Sequence, residues 1–223
     1  GLADALIQLE IPYESTEALR FADRTMALVS REAQETSREL GEKKGSFPAI
    51  NRSIYTGAMR NATVTTIAPT GSLHLIAGTS SGIEPLFSLA GTRQIGTRRV
   101  TFIHPFLKKY LRTFGSGRDI LSIVKRTGTL DSAPVPEAMK ELYRTATEIP
   151  PDHHIRMQAT VQRHVDNAVS KTVNLPEGAG AEEISRIFTL ARSLGCKGVT
   201  VYRYNSRQDQ VLSRGCEMCR VDT

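Results

Sequence analysis

Two short stretches of this chain carry residue types whose spacing suits them to chemistry. The first is Ile67-Ala68-Pro69-Thr70-Gly71-Ser72-Leu73, which joins a β-branched run to an apolar segment. A turn entering a helix in this way leaves backbone N–H groups without intrahelical acceptors, and those donors, aligned with the helix dipole, bind anions. Gly71 lets a ligand approach the backbone closely, and Thr70 and Ser72 add hydroxyl donors. The same residues also make an ordinary capped helix start with no ligand, and the turn by itself leaves both readings open. The second stretch is Cys216-Glu217-Met218-Cys219, preceded by Gly215 and flanked by Arg214 and Arg220, whose positive charge favours thiolate. Two cysteines so spaced either exchange with disulfides or supply half of a four-ligand zinc site.

Other reactive residue types read as packing or surface. Cys196 follows Gly195 at a helix stop and reads as a small buried residue. His153 and His154 start a helix and His164 lies further on, so there is no His-x-x-x-His pair and no metal site is expected. His74 falls one turn into the helix after Ser72 and is read as packing. Glu84, before Pro85, either orients the 68–73 loop or forms a structural ion pair with an arginine, the ion pair being the preferred role. Between Ser88 and Arg118 there are seven basic residues (Arg93, Arg98, Arg99, Lys108, Lys109, Arg112, Arg118) and no acidic one. Such a stretch attracts polyanions, but without interleaved aromatics it reads as a solvated rim that draws in nucleotides.

The elements that position these residues follow from hydrophobic period. Leu19, Ala22, Met26, Val29, Ala33 and Leu40 define an amphipathic helix from Ser15, its cap, to about Leu40, with Gly41 as stop. Ala62 to Ile67 reads as a buried strand, followed by the Pro-Thr-Gly turn and a short apolar helix. Leu86 to Phe102 reads as irregular strands with Gly91 and Gly96 at turns, and Pro105 opens a helix bearing Phe106, Leu107, Tyr110, Leu111 and Phe114. Helices are expected over Pro136–Ile149 and Pro151–Val165. The last third reads as strand Lys171–Leu175, helix Ala181–Leu194, stop Gly195 and strand Val199–Tyr202. That order predicts parallel neighbours in an α/β architecture.

With 223 residues, 39% hydrophobic and 23% charged, the chain can bury its own core. No apolar run approaches the length of a membrane span. Three cysteines, two of them close together, do not make a disulfide framework, so a reducing cytoplasm is expected. The chain opens at Gly1 inside an apolar-periodic stretch without a cap, and its N-terminus reads as cut.

The run Ala68-Pro69-Thr70-Gly71-Ser72-Leu73-His74-Leu75-Ile76-Ala77-Gly78-Thr79-Ser80-Ser81-Gly82-Ile83-Glu84-Pro85 resembles the substrate-phosphate loop and following segment of ribonucleotide reductase large subunits. Three further segments agree in order. Gly1-Leu2-Ala3-Asp4 resembles the end of the family's Gly-x-x-Gly-x-Ala-Asp stretch, Asp166-Asn167-Ala168-Val169-Ser170-Lys171-Thr172-Val173-Asn174-Leu175-Pro176 a late barrel strand, and Cys196-Lys197-Gly198-Val199-Thr200-Val201-Tyr202-Arg203 the final strand. The resemblance thus spans nearly the whole chain.

It implies that residues 1–205 are the C-terminal part of a ten-stranded α/β barrel of the ribonucleotide reductase type, and residues 206–223 a flexible redox-active tail. The implied activity is thiyl-radical reduction of a ribonucleoside diphosphate to its 2′-deoxy form. Ala68, Pro69, Thr70, Gly71, Ser72 and Leu73 would bind substrate phosphate, and Cys216 and Cys219 would deliver electrons. The family's radical cysteine lies on a finger loop as Asn-x-Cys-x-Glu, which is absent here, so that loop is expected upstream of Gly1. Class I members relay a radical through paired tyrosines near the end of the barrel. Here Arg203 separates Tyr202 from Tyr204, and together with Gly71-Ser72 that departure implies the adenosylcobalamin-dependent class. Implied partners are the ribonucleotide, a thioredoxin- or glutaredoxin-like reductant, the N-terminal part of the barrel, and a second copy in a full-length homodimer. The rival reading is a non-catalytic nucleotide- or nucleic-acid-binding module with a zinc hook at Cys216 and Cys219.

Overall fold

The computed structural model describes residues 1–95, 98–113, 117–206 and 212–215. Cys216 and Cys219, the expected turn at Gly96, and Phe114 lie outside the described residues.

Helix α1 (Leu2–Gln8) leads into α2 (Thr16–Lys44), whose N-terminus is capped as expected: the Ser15 hydroxyl accepts the Ala18 N–H at 3.0 Å. Gly41 does not stop this helix. The helix runs through it to Gly45, which takes φ 84° at the end. Gly41 serves a different purpose, because a Cβ there would lie 2.7 Å from the Met59 nitrogen. The bare position lets the 59–60 backbone pass over the helix.

After α3 (Leu73–Ala77), strands β1 (Ala90–Ile95) and β2 (Arg98–Ile103) form an antiparallel hairpin. Gly91, expected at a turn, instead sits within β1 opposite Phe102. Helices α4 (Pro105–Leu111), α5 (Gly117–Thr127) and α6 (Glu137–Leu142) follow. The last is much shorter than the helix expected to reach Ile149. The reason is local: the Glu148 carboxylate takes both the N–H and the hydroxyl of Thr145, at 2.7 and 2.6 Å, while Ala146 N–H bonds Leu86 C=O at 2.7 Å. These bonds compete directly with helical pairing.

Helix α7 (Pro151–Gln162), strand β3 (Thr172–Leu175), helix α8 (Ala181–Ser193) and strand β4 (Thr200–Arg203) make the expected parallel unit, in register from Thr172 opposite Thr200 to Leu175 opposite Arg203. Gly195 takes φ 76° just past α8, as a stop requires. Val173 and Leu175 bury one face of β3 against Ile155 of α7 and Ile187 and Ala191 of α8. Burial of such side chains is worth about 1.5–3 kcal/mol each, so this layer is a firm platform.

Within the segment 206–223 read as a tail, Leu212–Arg214 forms β5, which pairs antiparallel with β1. Gly215 adds a bridge to Gly91 at φ 66°, with its N–H on Ala90 C=O at 3.1 Å. No helix among the described residues is long and apolar enough to cross a membrane.

Candidate functional site

The expected buried strand over Ala62–Ile67 is only a single parallel bridge, Ile67 to Val169, and of that stretch only Thr65 is buried. It is nevertheless firmly held. The Asp166 carboxylate accepts the N–H groups of Val64 (2.7 Å) and Thr65 (3.3 Å), and the Thr65 hydroxyl accepts Asp166 N–H at 2.9 Å. Asn167 N–H reaches Thr65 C=O at 3.1 Å and Ser170 N–H reaches Ile67 C=O at 2.9 Å. On the far side, the Gln158 and Gln162 amides of α7 donate to Gly198 C=O (2.6 Å) and Asn167 C=O (2.9 Å), and Lys197 donates to Asp166 C=O. Two of the segments singled out from sequence, 166–176 and 196–203, therefore hold the lead-in to the third.

At residues 68–73 the chain turns. Thr70 adopts φ 49°, left-handed and unusual for a β-branched residue. Its carbonyl is 2.6 Å from His74 Nδ1, and its hydroxyl lies 3.0 Å from the Ser81 hydroxyl. The first backbone donors used beyond the turn are His74 N–H, to Thr70 C=O at 3.4 Å, and Leu75 N–H, to Ser72 C=O at 3.1 Å. Among the described residues no acceptor meets the N–H groups of residues 70–73. A Cβ built on Gly71 would meet nothing within 4 Å, and Leu73 is 64% exposed, so the loop is open on that side. Helix α3 is only five residues long, so the loose donors contribute more to anion binding than the helix dipole does.

The Ser80–Glu84 segment behind the loop is bound to the N-terminal motif. Ser80 N–H donates to the Asp4 carboxylate at 2.6 Å, Asp4 N–H to the Ser80 hydroxyl at 3.1 Å, Leu2 N–H to Gly82 C=O at 3.2 Å, and the Tyr13 hydroxyl to Ile83 C=O at 2.5 Å. Asp4 also faces His104 Nε2 at 2.9 Å. Burial pushes the Asp4 carboxyl up, but the hydrogen bonds from His104 and Ser80 outweigh it and hold the group below its usual range.

The expected ion pair of Glu84 is present, but with a lysine. Lys171 has none of its side chain exposed, and its ammonium meets Glu84 Oε2 at 3.0 Å, His154 Nδ1 at 2.9 Å and Thr172 C=O at 3.4 Å. The other Glu84 oxygen accepts Thr172 N–H at 2.6 Å. His154 is wholly buried, its Nε2 facing Ala146 C=O at 2.8 Å. That partner assigns the ring proton to Nε2 and leaves Nδ1 to accept from Lys171. From sequence His154 reads as surface or packing, and nothing marks Lys171 as its partner. The available signal was a lysine directly before a buried strand in a segment that also needs a carboxylate partner.

A pH dependence follows. Burial and the neighbouring Lys171 push His154 from its ordinary value of 6.5 down to about 3. Between these values the unfolded chain holds a proton that the folded chain does not, so stability falls as pH drops through that window. Thermal unfolding of the full-length protein should show a shallower loss of Tm from pH 6.5 to 4 in His154→Gln than in the parent. Parallel profiles would remove His154 as the titrating group.

Cys196 packs against the β3–β4 core and burial raises its thiol, in keeping with a structural residue. Among the described residues no group of three or more His, Cys, Asp or Glu side chains can hold a metal ion. Of the basic stretch, Lys108, Lys109 and Arg112 are exposed on and just after α4, and Arg118 is exposed on α5.

Residues 1–59 and 50–202 match the family described as ribonucleotide reductase, barrel domain. The chain is 46% identical over 217 residues to the vitamin B12-dependent ribonucleoside-diphosphate reductase of Mycobacterium tuberculosis, covering 96% of this chain and 31% of that protein. It is 42% identical over 220 residues to the enzyme of the same name from Thermoplasma acidophilum, covering 96% of this chain and 29% of that protein. It spans about a third of the length of these relatives. The fold matches the Actinobacillus ureae class Id ribonucleotide reductase alpha subunit with a TM-score of 0.77 at 22% identity, over 92% of this chain and 38% of that one.

Proposed function

Because this chain belongs to the ribonucleotide reductase barrel-domain family, we propose that it supplies the substrate-phosphate loop and the reducing tail of a cobalamin-dependent ribonucleoside-diphosphate reductase. The observation that carries the reading is the open 68–73 turn. Among the described residues its N–H groups at residues 70–73 meet no acceptor, and segments 166–170 and 80–84 hold it in place. A nucleotide's terminal phosphates would take up those donors in charge-assisted hydrogen bonds. The basic residues around α4 and α5 would raise the local nucleotide concentration.

Reduction at the ribose 2′-carbon breaks a C–O bond, forms a C–H bond, releases water, and oxidises a dithiol in the site to a disulfide. One tail thiolate of Cys216 or Cys219 attacks that disulfide, and a mixed disulfide forms as the old S–S bond breaks. The second tail thiolate then displaces the site cysteine, so the site dithiol is restored and the tail becomes oxidised. A thioredoxin- or glutaredoxin-type dithiol reduces the tail by the same exchange.

Relatives that carry the B12 name support the adenosylcobalamin-dependent class. When bound, that cofactor supplies the radical that starts such chemistry. The cavity of about 310 Å³ lined by Phe47, Arg52, Tyr55 and Asp166 suits a small ligand, and no residue of it is assigned to the cofactor. This chain also has no Asn-x-Cys-x-Glu. Radical generation is therefore assigned to polypeptide outside these residues, together with a homodimer partner and a cytoplasmic setting for the full-length enzyme.

The test is product analysis. Full-length enzyme with adenosylcobalamin and a dithiol should convert a ribonucleoside diphosphate to its deoxy form, whereas the isolated 223 residues should not. A thiyl radical must sit at a fixed position beside the ribose, whereas Cys196 packs against the β3–β4 core and Cys216 and Cys219 are assigned to the reducing tail. Conversion by the isolated chain would overturn this division of roles.

A further inference from the structure

We propose that Lys171 is a positioning residue for the substrate loop, its buried ammonium setting the conformation of residues 68–73 through Glu84 and Ser81. This rests on the reading of that loop as the phosphate site.

A buried ammonium is tolerated only when its donors are satisfied, and here three acceptors from three parts of the fold converge on it: Glu84 behind the loop, His154 on α7, and Thr172 at the start of β3. Such a pair adds little net stability over apolar packing of the same volume; what it supplies is one fixed geometry. Both Glu84 oxygens are committed, one to Lys171 and the other to Thr172 N–H, so the carboxylate cannot rotate without losing a partner.

The connection to the loop is short. Glu84 N–H donates to Ser81 C=O at 2.9 Å, closing a turn that aims the Ser81 hydroxyl at the loop. That hydroxyl donates to Pro69 C=O at 3.0 Å, which uses its only hydrogen, so the Thr70 hydroxyl is the donor in the 3.0 Å contact between Thr70 and Ser81. Thr70 needs such support, because a β-branched residue at φ 49° does not hold that conformation by itself. Lys171 also adjoins Ser170, whose N–H fixes Ile67 at the loop's entry. The ammonium thus stands where both ends of the loop are tied down.

The test uses the full-length enzyme and separates KM from kcat. Glu84→Gln keeps an acceptor for Thr172 N–H but removes the charge facing Lys171, and Ser81→Ala cuts only the contact with the loop. Each should raise KM for the ribonucleoside diphosphate about tenfold with kcat within about twofold. The double variant should be no worse than the poorer single, because both act through one connection. Lys171→Met should show the same KM rise, and if it fails to fold, the other variants still decide the matter. An unchanged KM with a lowered Tm, or effects that multiply in the double variant, would overturn the proposal. Gly71→Asp separates the two readings. If it raises KM while Glu84→Gln and Ser81→Ala do not, the positioning role falls and the loop stands. If it leaves KM unchanged, the loop reading falls and the positioning role with it.

Discussion

Full-length enzyme carrying Cys216→Ser and Cys219→Ser is expected to make about one deoxynucleotide per site and then stop when thioredoxin is the reductant. The first turnover draws its two electrons from a dithiol already reduced in the site, so the chemical step survives. What is lost is re-reduction, because a protein dithiol is too bulky to reach a buried disulfide and the tail pair is proposed to be the carrier. A small dithiol, which can diffuse into the site, should partly restore cycling. The measurement is product per site against time with each reductant. Sustained turnover of the double variant with thioredoxin would show that the tail is not the carrier. Stoichiometric zinc bound by the parent through these two cysteines would favour the rival hook instead.

Gly71→Asp is expected to weaken ribonucleotide binding by at least about a hundredfold. A carboxylate about 4 Å from a phosphate charge at a protein surface costs on the order of 4 kcal/mol, and each tenfold in affinity corresponds to about 1.4 kcal/mol. The effect comes from charge: a Cβ at Gly71 meets nothing within 4 Å in this fold, so the loop itself has room for a side chain. Gly71→Asn, which is nearly isosteric but neutral, should therefore bind nucleotide markedly better than Gly71→Asp. Equal losses in the two would place the cause in shape or backbone freedom, and no loss in either would remove the loop from the site.

Much of the platform was legible in the sequence because it is built from local signals. The β3–α8–β4 unit announces itself through a β-branched run, a 3.6-residue apolar period and Gly195, and the parallel pairing of its strands follows from that order. The cap at Ser15 is equally local. What escaped was set by distant partners. Gly41 looks like a helix stop until the passing backbone at Met59 is seen. Ala62 to Ile67 has strand composition, yet among the described residues its ladder is one bridge, and Val64 and Thr65 are held by the Asp166 carboxylate.

Lys171 is the clearest case. A lysine at the head of a strand reads as solvent-facing, and what keeps it buried includes Glu84, 87 positions away, and His154, 17 positions away. The 68–73 loop itself could be picked out from Pro69-Thr70-Gly71-Ser72, but its openness and the left-handed Thr70 could not.

The most direct test is a crystal structure of the full-length enzyme with a ribonucleoside diphosphate bound. The account predicts phosphate oxygens within about 2.7–3.2 Å of several of the N–H groups of Thr70, Gly71, Ser72 and Leu73, with Thr70 still turned toward Ser81. Phosphates bound elsewhere, with these four N–H groups facing only solvent, would contradict it.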